Sequence, residues 1–345
     1  MDIFTPIFPE EKLHKHFKIL QLDSAKPIRA TINNWAKGFI DRDRKLVQEF
    51  QTTFNSSFWE LYLFQCFKEL EMKIDFSKAS PDFSVQTKSR NYLSIEAVTA
   101  NHALKDEPEW SSPEILREYL NKPRNEILEY ASIRLLNAID FKHKKFLKSY
   151  GKMEHVKGNP FILAIASFEQ PAFFRQNNQA INRVLYGCDA PKMVGSKLDG
   201  SPNFNIPNID TVKKSNGSPL ELGVFTTDKF KEISAVIFST TATFSKALVQ
   251  SEFSNHCTVS SRRYKCGEGW FGYIDQISEK RVYKETHLDG LHIYHNPFAD
   301  NPLDIEDLDS YEITQNTFNK VSKEIEPNHT DGSLISRSTH WEFDK

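Results

Sequence analysis

Cysteine is scarce in this chain of 345 residues, and the four present, Cys66, Cys188, Cys257 and Cys266, are scattered with no CxxC spacing. That argues against a disulfide frame or a zinc ribbon and favours reduced thiols. No apolar run approaches the ~18 residues a membrane helix needs. The start, Met1-Asp2-Ile3-Phe4, lacks a basic region followed by an apolar stretch. The expectation is a soluble, cytoplasmic protein. An excess of either charge is missing too: 44 Lys and Arg face 46 Asp and Glu. Nothing global therefore draws the chain to nucleic acid, and any such binding must use a local patch. No internal repeat or low-complexity tract is visible, and with 39% hydrophobic residues the length suffices for one large or two modest packed domains.

One local basic patch does exist. Between Lys142 and Lys157 six lysines (Lys142, Lys144, Lys145, Lys148, Lys152, Lys157) are opposed only by Glu154. A solvated helix end, where the macrodipole favours cations, is the simplest account of it.

Punctuation divides the chain near residues 50–57, 187–221 and 295–310. Residues 1–50 are charged and helical in pattern and read as an N-terminal arm or cap. Residues 51–245 read as an α/β core. Within it, 187–222 is rich in Gly, Pro, Ser, Asn and Lys, the composition of a surface excursion. Residues 246–345 read as a β-containing C-terminal accessory region, with an acidic stretch (Asp300, Asp304, Glu306, Asp307, Asp309) and a polar end of disordered composition.

Six elements in the middle follow an order that fits a layered α/β fold. A helix is expected over Ser57–Met72, with Phe58, Leu61, Tyr62, Cys66 and Leu70 at helical spacing and the Ser57/Glu60 pair able to cap its start. Three short strands follow: Lys73–Phe76, Asp82–Thr87 after a Ser80-Pro81 turn, and Tyr92–Val98 after the turn at 88–91. A long helix then begins at Pro123, with Ile127, Ala131, Leu135, Ala138 and Phe141 as its buried stripe. The continuous apolar run Phe161–Ala166 is the mark of a strand buried on both faces, and Ile233–Ser239 is a second candidate.

Two carboxylates fall on adjacent expected strands: Asp82 opens the second, and Glu96 lies inside the third between Ile95, Ala97 and Val98. If these strands pair as a hairpin, the acidic groups converge where a hard cation such as Mg²⁺ is held by a few carboxylates and waters, a site able to activate water. A charge inside a buried strand needs a partner. Each acid also has a plainer explanation: Glu60 as half of a capping box, Asp82 as a turn residue, Glu96 as half of a structural ion pair.

The element order, with Pro81-Asp82-Phe83 and Ile95-Glu96-Ala97 in their places, resembles the PD-(D/E)XK or restriction-endonuclease-like superfamily over about residues 51–168. Phrases such as Phe58-Trp59-Glu60-Leu61-Tyr62-Leu63, His155-Val156-Lys157-Gly158 and His295-Asn296-Pro297 also look like a family of uncharacterised bacterial proteins. The resemblance implies an αβββαβ core and metal-dependent phosphodiester hydrolysis in bacterial DNA processing or defence. Mg²⁺ or Mn²⁺ would sit on Asp82 and Glu96, with Glu60 as the extra acid of the first helix. Nucleic acid, DNA before RNA, is the implied partner, and a homodimer is compatible with it. The sequence departs from the superfamily at Val98, where its lysine belongs. Valine neither stabilises developing charge nor positions water. Some members take the lysine from the following helix; continuing the stripe from Phe141 reaches Lys145 at i+4, with Lys142 behind it. A snorkelling or phosphate-binding lysine is the competing reading. The alternative for the whole chain is a catalytically inactive nuclease-like fold that binds nucleic acid or protein, with Val98 the trace of lost chemistry.

Other signals carry less. Gly267-Glu268-Gly269-Trp270-Phe271-Gly272 matches GxGxxG in form, yet no strand-to-helix crossover surrounds it and Glu268 would set an anion beside the phosphates. His287, His292 and His295 match no zinc module, and an alternating strand over Leu291–Tyr294 explains His292 more cheaply. The hydroxyls of Ser239–Thr243 most simply cap a helix. The 27 phenylalanines argue for core, since base stacking needs exposed aromatics in a basic groove.

Overall fold

An apolar run without alternation needs cover on both sides, and Phe161–Ala166 receives it. All six residues are buried, with Ile162, Ala164 and Ala166 facing one apolar cluster and Phe161, Leu163 and Ile165 the other. The computed structural model describes residues 2–102, 113–189, 192–196, 200, 202–214, 216–253, 256–267, 270–328 and 330–341.

Along the chain the helices and strands are α1 (Lys15–Gln21), α2 (Lys26–Trp35), α3 (Leu46–Thr52), α4 (Asn55–Glu69), β1 (Lys73–Ile74), β2 (Phe83–Gln86), β3 (Tyr92–Thr99), α5 (Pro113–Asn121), α6 (Arg124–Lys148), β4 (Phe161–Ala166) and α7 (Gln179–Tyr186). The hairpin strands β5 (Lys192–Ser196), β6 (Pro202–Asn205), β7 (Thr211–Lys213) and β8 (Pro219–Glu221) follow. Then come β9 (Ala235–Ser239), α8 (Phe244–Gln250), β10 (Cys257–Gly267), β11 (Trp270–Glu279), β12 (His292–His295), β13 (Thr314–Asn319), β14 (Glu324–Asn328) and β15 (Leu334–Trp341).

Eight strands form one mixed sheet in the order β1-β2-β3-β4-β9-β12-β13-β14. Strand β4 is parallel to both β3 and β9, β13 is parallel to β12, and the remaining neighbours are antiparallel. One face is covered by α1–α4 and α8 through Phe17, Ile28, Phe50, Phe58, Leu61 and Leu248, the other by α6 and α7 through Leu128, Leu135, Ile139, Ile181 and Leu185. The molecule is therefore a mixed α/β fold of helix, sheet and helix layers. Burying this apolar area supplies the main drive for folding.

Several expectations change in the folded chain. Residues 1–50 lie against the core as a cap, with Phe17, Leu20, Ile28, Ile32, Trp35 and Phe50 buried in the same cluster as α4. The α4 helix begins two residues before Ser57, after Phe54 at φ +33°, so Ser57 is an interior, buried residue and the Ser57/Glu60 capping box does not form. The strands of 246–345 do not all stand apart: β12 pairs with β9, and β13 and β14 extend the same sheet. Only β10, β11 and β15 make a separate three-stranded sheet. Such pairing joins residues far apart in sequence, which local pattern cannot foresee. The excursion at 187–222 holds two small hairpins, β5/β6 and β7/β8. Within the acidic stretch Asp307 is buried, accepting hydrogen bonds from Thr87 Oγ1 at 2.8 Å and Asn91 Nδ2 at 3.0 Å.

A buried charge network ties the small sheet to α8. Glu285 Oε1 meets Lys246 Nζ at 2.6 Å, and Oε2 accepts from Arg337 Nε at 3.1 Å and from the Tyr283 hydroxyl at 2.6 Å. Burial pushes Glu285 up, but Arg337, Lys246 and the Tyr283 hydroxyl outweigh it and hold the carboxyl at about 2.

Candidate functional site

The site is built where β2 and β3 pair. Their register, Phe83 opposite Ile95, continues one step to set Asp82 opposite Glu96, and directly opposed residues share a face of the sheet. Alternation along β3 turns Leu93, Ile95 and Ala97 to the α4 side, so Glu96 and Val98 face α6. The backbone N–H of Ala97 donates to Asp82 Oδ2 at 2.8 Å, which fixes the aspartate against β3. Arg42 donates to the carbonyl of Asp82 at 2.6 Å and to that of Lys78, and His155 Nε2 donates to the carbonyl of Ser80 at 2.8 Å. The turn that carries Asp82 is thus pinned from both sides.

Glu96 is 1% exposed. Its Oε1 accepts three hydrogen bonds: from Lys142 Nζ at 2.6 Å, Lys145 Nζ at 3.1 Å and the Tyr150 hydroxyl at 3.0 Å. Its Oε2 is buried and accepts none from the described residues. A carboxylate with one oxygen triply served and the other bare is an unusual way to bury a charge, since an unmet acceptor costs roughly 1–3 kcal/mol. Lys145 Nζ also lies 4.6 Å from the centre of the Tyr150 ring.

The lysines arrive by a route other than the expected one. The buried stripe of α6 runs through Leu128, Ala131, Leu135, Ile139 and His143, while Phe141, expected within it, is 66% exposed. Ile127, Ala131 and Leu135 are buried as expected and Ala138 packs against an apolar cluster, but past them the interface continues through Ile139 and His143, the latter paired with Glu232 at 2.8 Å and set against the Phe230 ring. Lys142 and Lys145 flank that stripe and reach inward to Glu96. Lys142 is the closer and more buried of the two, its side chain 15% exposed against 43% for Lys145.

Around this pair the balance of charge is acidic. Asp82 is raised to about 6, first by burial and then by Glu96, with the Ala97 N–H and the two lysines pulling the other way. Glu60, half-buried on α4, is raised to about 8 by burial and by the charges of Asp82, Glu49, Asp43 and Glu96. Burial and Glu96 raise Tyr150, which keeps its hydroxyl a donor. The lysines serve Glu96 directly, leaving Asp82 and Glu60 without comparable relief. One added cation would lower the cost of all three acids.

Among the described residues no group of three or more His, Cys, Asp or Glu side chains forms a ready-made metal cage. What the strands bring together is the pair Asp82 and Glu96, the number of carboxylates that commonly holds Mg²⁺ alongside waters. The bare Glu96 Oε2 is the atom that fits such an ion.

Sequence reasoning passed over Tyr150, Arg42 and His155 as parts of the site. The signal for Tyr150 was its place five residues after Lys145, at the end of the lysine-bearing helix; His155 opens the phrase His155-Val156-Lys157-Gly158 without a role attached to it, and nothing local marks Arg42. The other signals resolve into structure. Gly267 and Trp270 close the β10/β11 hairpin, with Glu268 and Gly269 of the GxGxxG match outside the described residues, so no helix N-terminus follows it. His287 Nδ1 pairs with Glu69 at 2.6 Å, His295 Nε2 with Gln315 at 2.6 Å, and His292 stacks on Tyr294. Ser239 Oγ accepts from the N–H groups of Thr241 and Ala242 at 3.1 Å, a turn instead of the expected helix cap, since Thr243 at the start of α8 makes no side-chain cap. No helix among the described residues is long and apolar enough to cross a membrane. No family model, curated protein or solved structure matches this chain.

Proposed function

We propose that the protein is a divalent-metal-dependent nuclease of restriction-endonuclease-like type, hydrolysing phosphodiester bonds at the Asp82–Glu96 pair. The observation that carries the reading is Glu96 itself, a buried strand carboxylate facing Asp82, with lysines on one oxygen and no hydrogen-bond donor among the described residues on the other. The order α4, β1, β2, β3, α6, β4, with α5 interposed, supports it by setting the acids and lysines on the elements where the resemblance puts them.

Asp82 and Glu96 would hold the ion, whose chemistry is to activate a water and to neutralise charge on the phosphoryl oxygens. Lys142 and Lys145 hold Glu96 in place through their hydrogen bonds to Oε1, and Lys145, the more exposed, is the one able to turn toward a substrate phosphate. Their position supplies from α6 the cation that Val98 denies to β3. Glu60, raised to about 8, is protonated at neutral pH in the free protein. It can accept a hydrogen bond, donate one, or lose its proton when a cation arrives.

The test is incubation of the purified protein with single- and double-stranded DNA and RNA, with Mg²⁺, with Mn²⁺ and with chelator, beside Asp82→Ala and Glu96→Gln. Metal-dependent cutting lost in both variants supports the reading. Absence of cutting by every form under all conditions would leave the fold as a binding module, and activity unchanged in both variants would overturn the site.

A further inference from the structure

The outer face of α6 carries a second arrangement, which meets the metal pair at Lys145. Arg134, Phe141, Lys145 and Lys148 recur at i, i+7, i+11 and i+14, which sets them on one stripe about 21 Å long. Phe141, 66% exposed, stands at the middle of it. Arg134 lies toward the end of β3, its Nε donating to the carbonyl of Asn101 at 2.6 Å. Lys145 is shared with the site through its contact to Glu96. Lys148 makes no ion pair among the described residues, whereas Lys144, on the flank, is neutralised by Asp140 at 2.5 Å.

An exposed aromatic bracketed by cations is the combination that binds unpaired nucleotides, with a base stacking on the ring and phosphates meeting the cations. A duplex offers its backbone to such a stripe but keeps its bases stacked on one another, so Phe141 would contribute nothing to it. We propose that this stripe of α6 is a binding track for single-stranded nucleic acid, in which Phe141 stacks a base and Lys145 and Lys148 hold the adjoining phosphates. The track thereby delivers an unpaired strand to the Asp82–Glu96 pair. The inference rests on the reading of this region as one that meets nucleic acid, and it deepens that reading by naming unpaired strand as the substrate class.

The experiment measures binding in EDTA, so it does not depend on metal or on cutting. Fluorescein-labelled 12-nucleotide single strands, an abasic strand of the same length and a matched duplex are titrated with wild type, Phe141→Ala, Phe141→Trp and Lys148→Ala, followed by anisotropy. Because Phe141 is on the surface, none of these variants removes core packing. The single strand is expected to bind more tightly than the duplex and the abasic strand, and Phe141→Ala to weaken it by about tenfold while leaving the duplex unchanged. Phe141→Trp should restore the affinity and add an indole signal quenched by the single strand and not by the abasic one. Lys148→Ala should reduce the slope of affinity against salt by about 0.7. Equal binding of single strand and duplex with no effect of Phe141→Ala, or no binding to any of the three, would overturn the proposal. Strand binding that depends on Phe141, joined to an absence of metal-dependent cutting, would sink the nuclease reading alone and leave the track standing.

Discussion

Replacing Glu60 by glutamine probes the acidic balance of the site through stability alone. The carboxyl is raised from the ordinary 4.5 to about 8, first by burial and then by Asp82 and the other acids around it. Between those two values the unfolded chain has Glu60 ionised while the folded chain keeps it protonated. Its contribution to stability is therefore full below pH 4.5 and is lost progressively as the pH rises through 8. At ~1.4 kcal/mol for each pH unit the whole span is worth at most about 5 kcal/mol. Because Asp82 shares the proton balance, roughly half of that, about 2–3 kcal/mol, belongs to Glu60 itself. Glutamine has nearly the shape of the protonated acid and no charge to lose. Thermal unfolding in chelator should place Glu60→Gln close to wild type at pH 5 and above it by about 3–6 °C at pH 9. A difference that stays constant from pH 5 to pH 9, or shrinks, would refute the argument that uncompensated negative charge surrounds Glu60.

Two further substitutions test the charge accounting elsewhere. Lys142→Met removes the shorter and more buried of the two lysine contacts to Glu96, so it should cost roughly 1–3 kcal/mol by urea denaturation and more than Lys145→Met, whose side chain is half in solvent; equal costs would show that the two contacts are interchangeable. Glu285→Ala leaves Lys246 and Arg337 buried without their counter-ion and should cost about 3–5 kcal/mol. Since Glu285 is held at about 2, its contribution is present above pH 4.5 and lost as the pH falls toward 2. The penalty of Glu285→Gln should shrink over that range, and a penalty independent of pH would contradict the assignment.

The parts of this structure that could be read in the sequence are those fixed by local pattern. The run Phe161–Ala166 is a strand at those residues because six apolar side chains without alternation must be covered on both faces. Asp82 and Glu96 were placed on neighbouring strands by two turns, and the pairing brings them onto one face. What escaped was set by contacts between distant segments. Phe141 fits an apolar stripe as well as Leu128 does, and only the docking of His143 against Phe230 and Glu232 decides which face of α6 turns inward. The same docking puts Lys142 closer to Glu96 than Lys145. Strands β12, β13 and β14 joined the sheet through β9, across more than fifty residues of intervening chain, so no local signal separated them from an accessory region.

The central claim is that Asp82 and Glu96 form a divalent-cation site, and calorimetric titration of Mg²⁺ and Mn²⁺ into wild type and Asp82→Ala tests it most directly. The account predicts saturable binding of one ion by wild type, accompanied by proton release near neutral pH from Glu60 and Asp82, and its loss in Asp82→Ala while the fold is retained. Binding of the same strength in both proteins, or in neither, would contradict it.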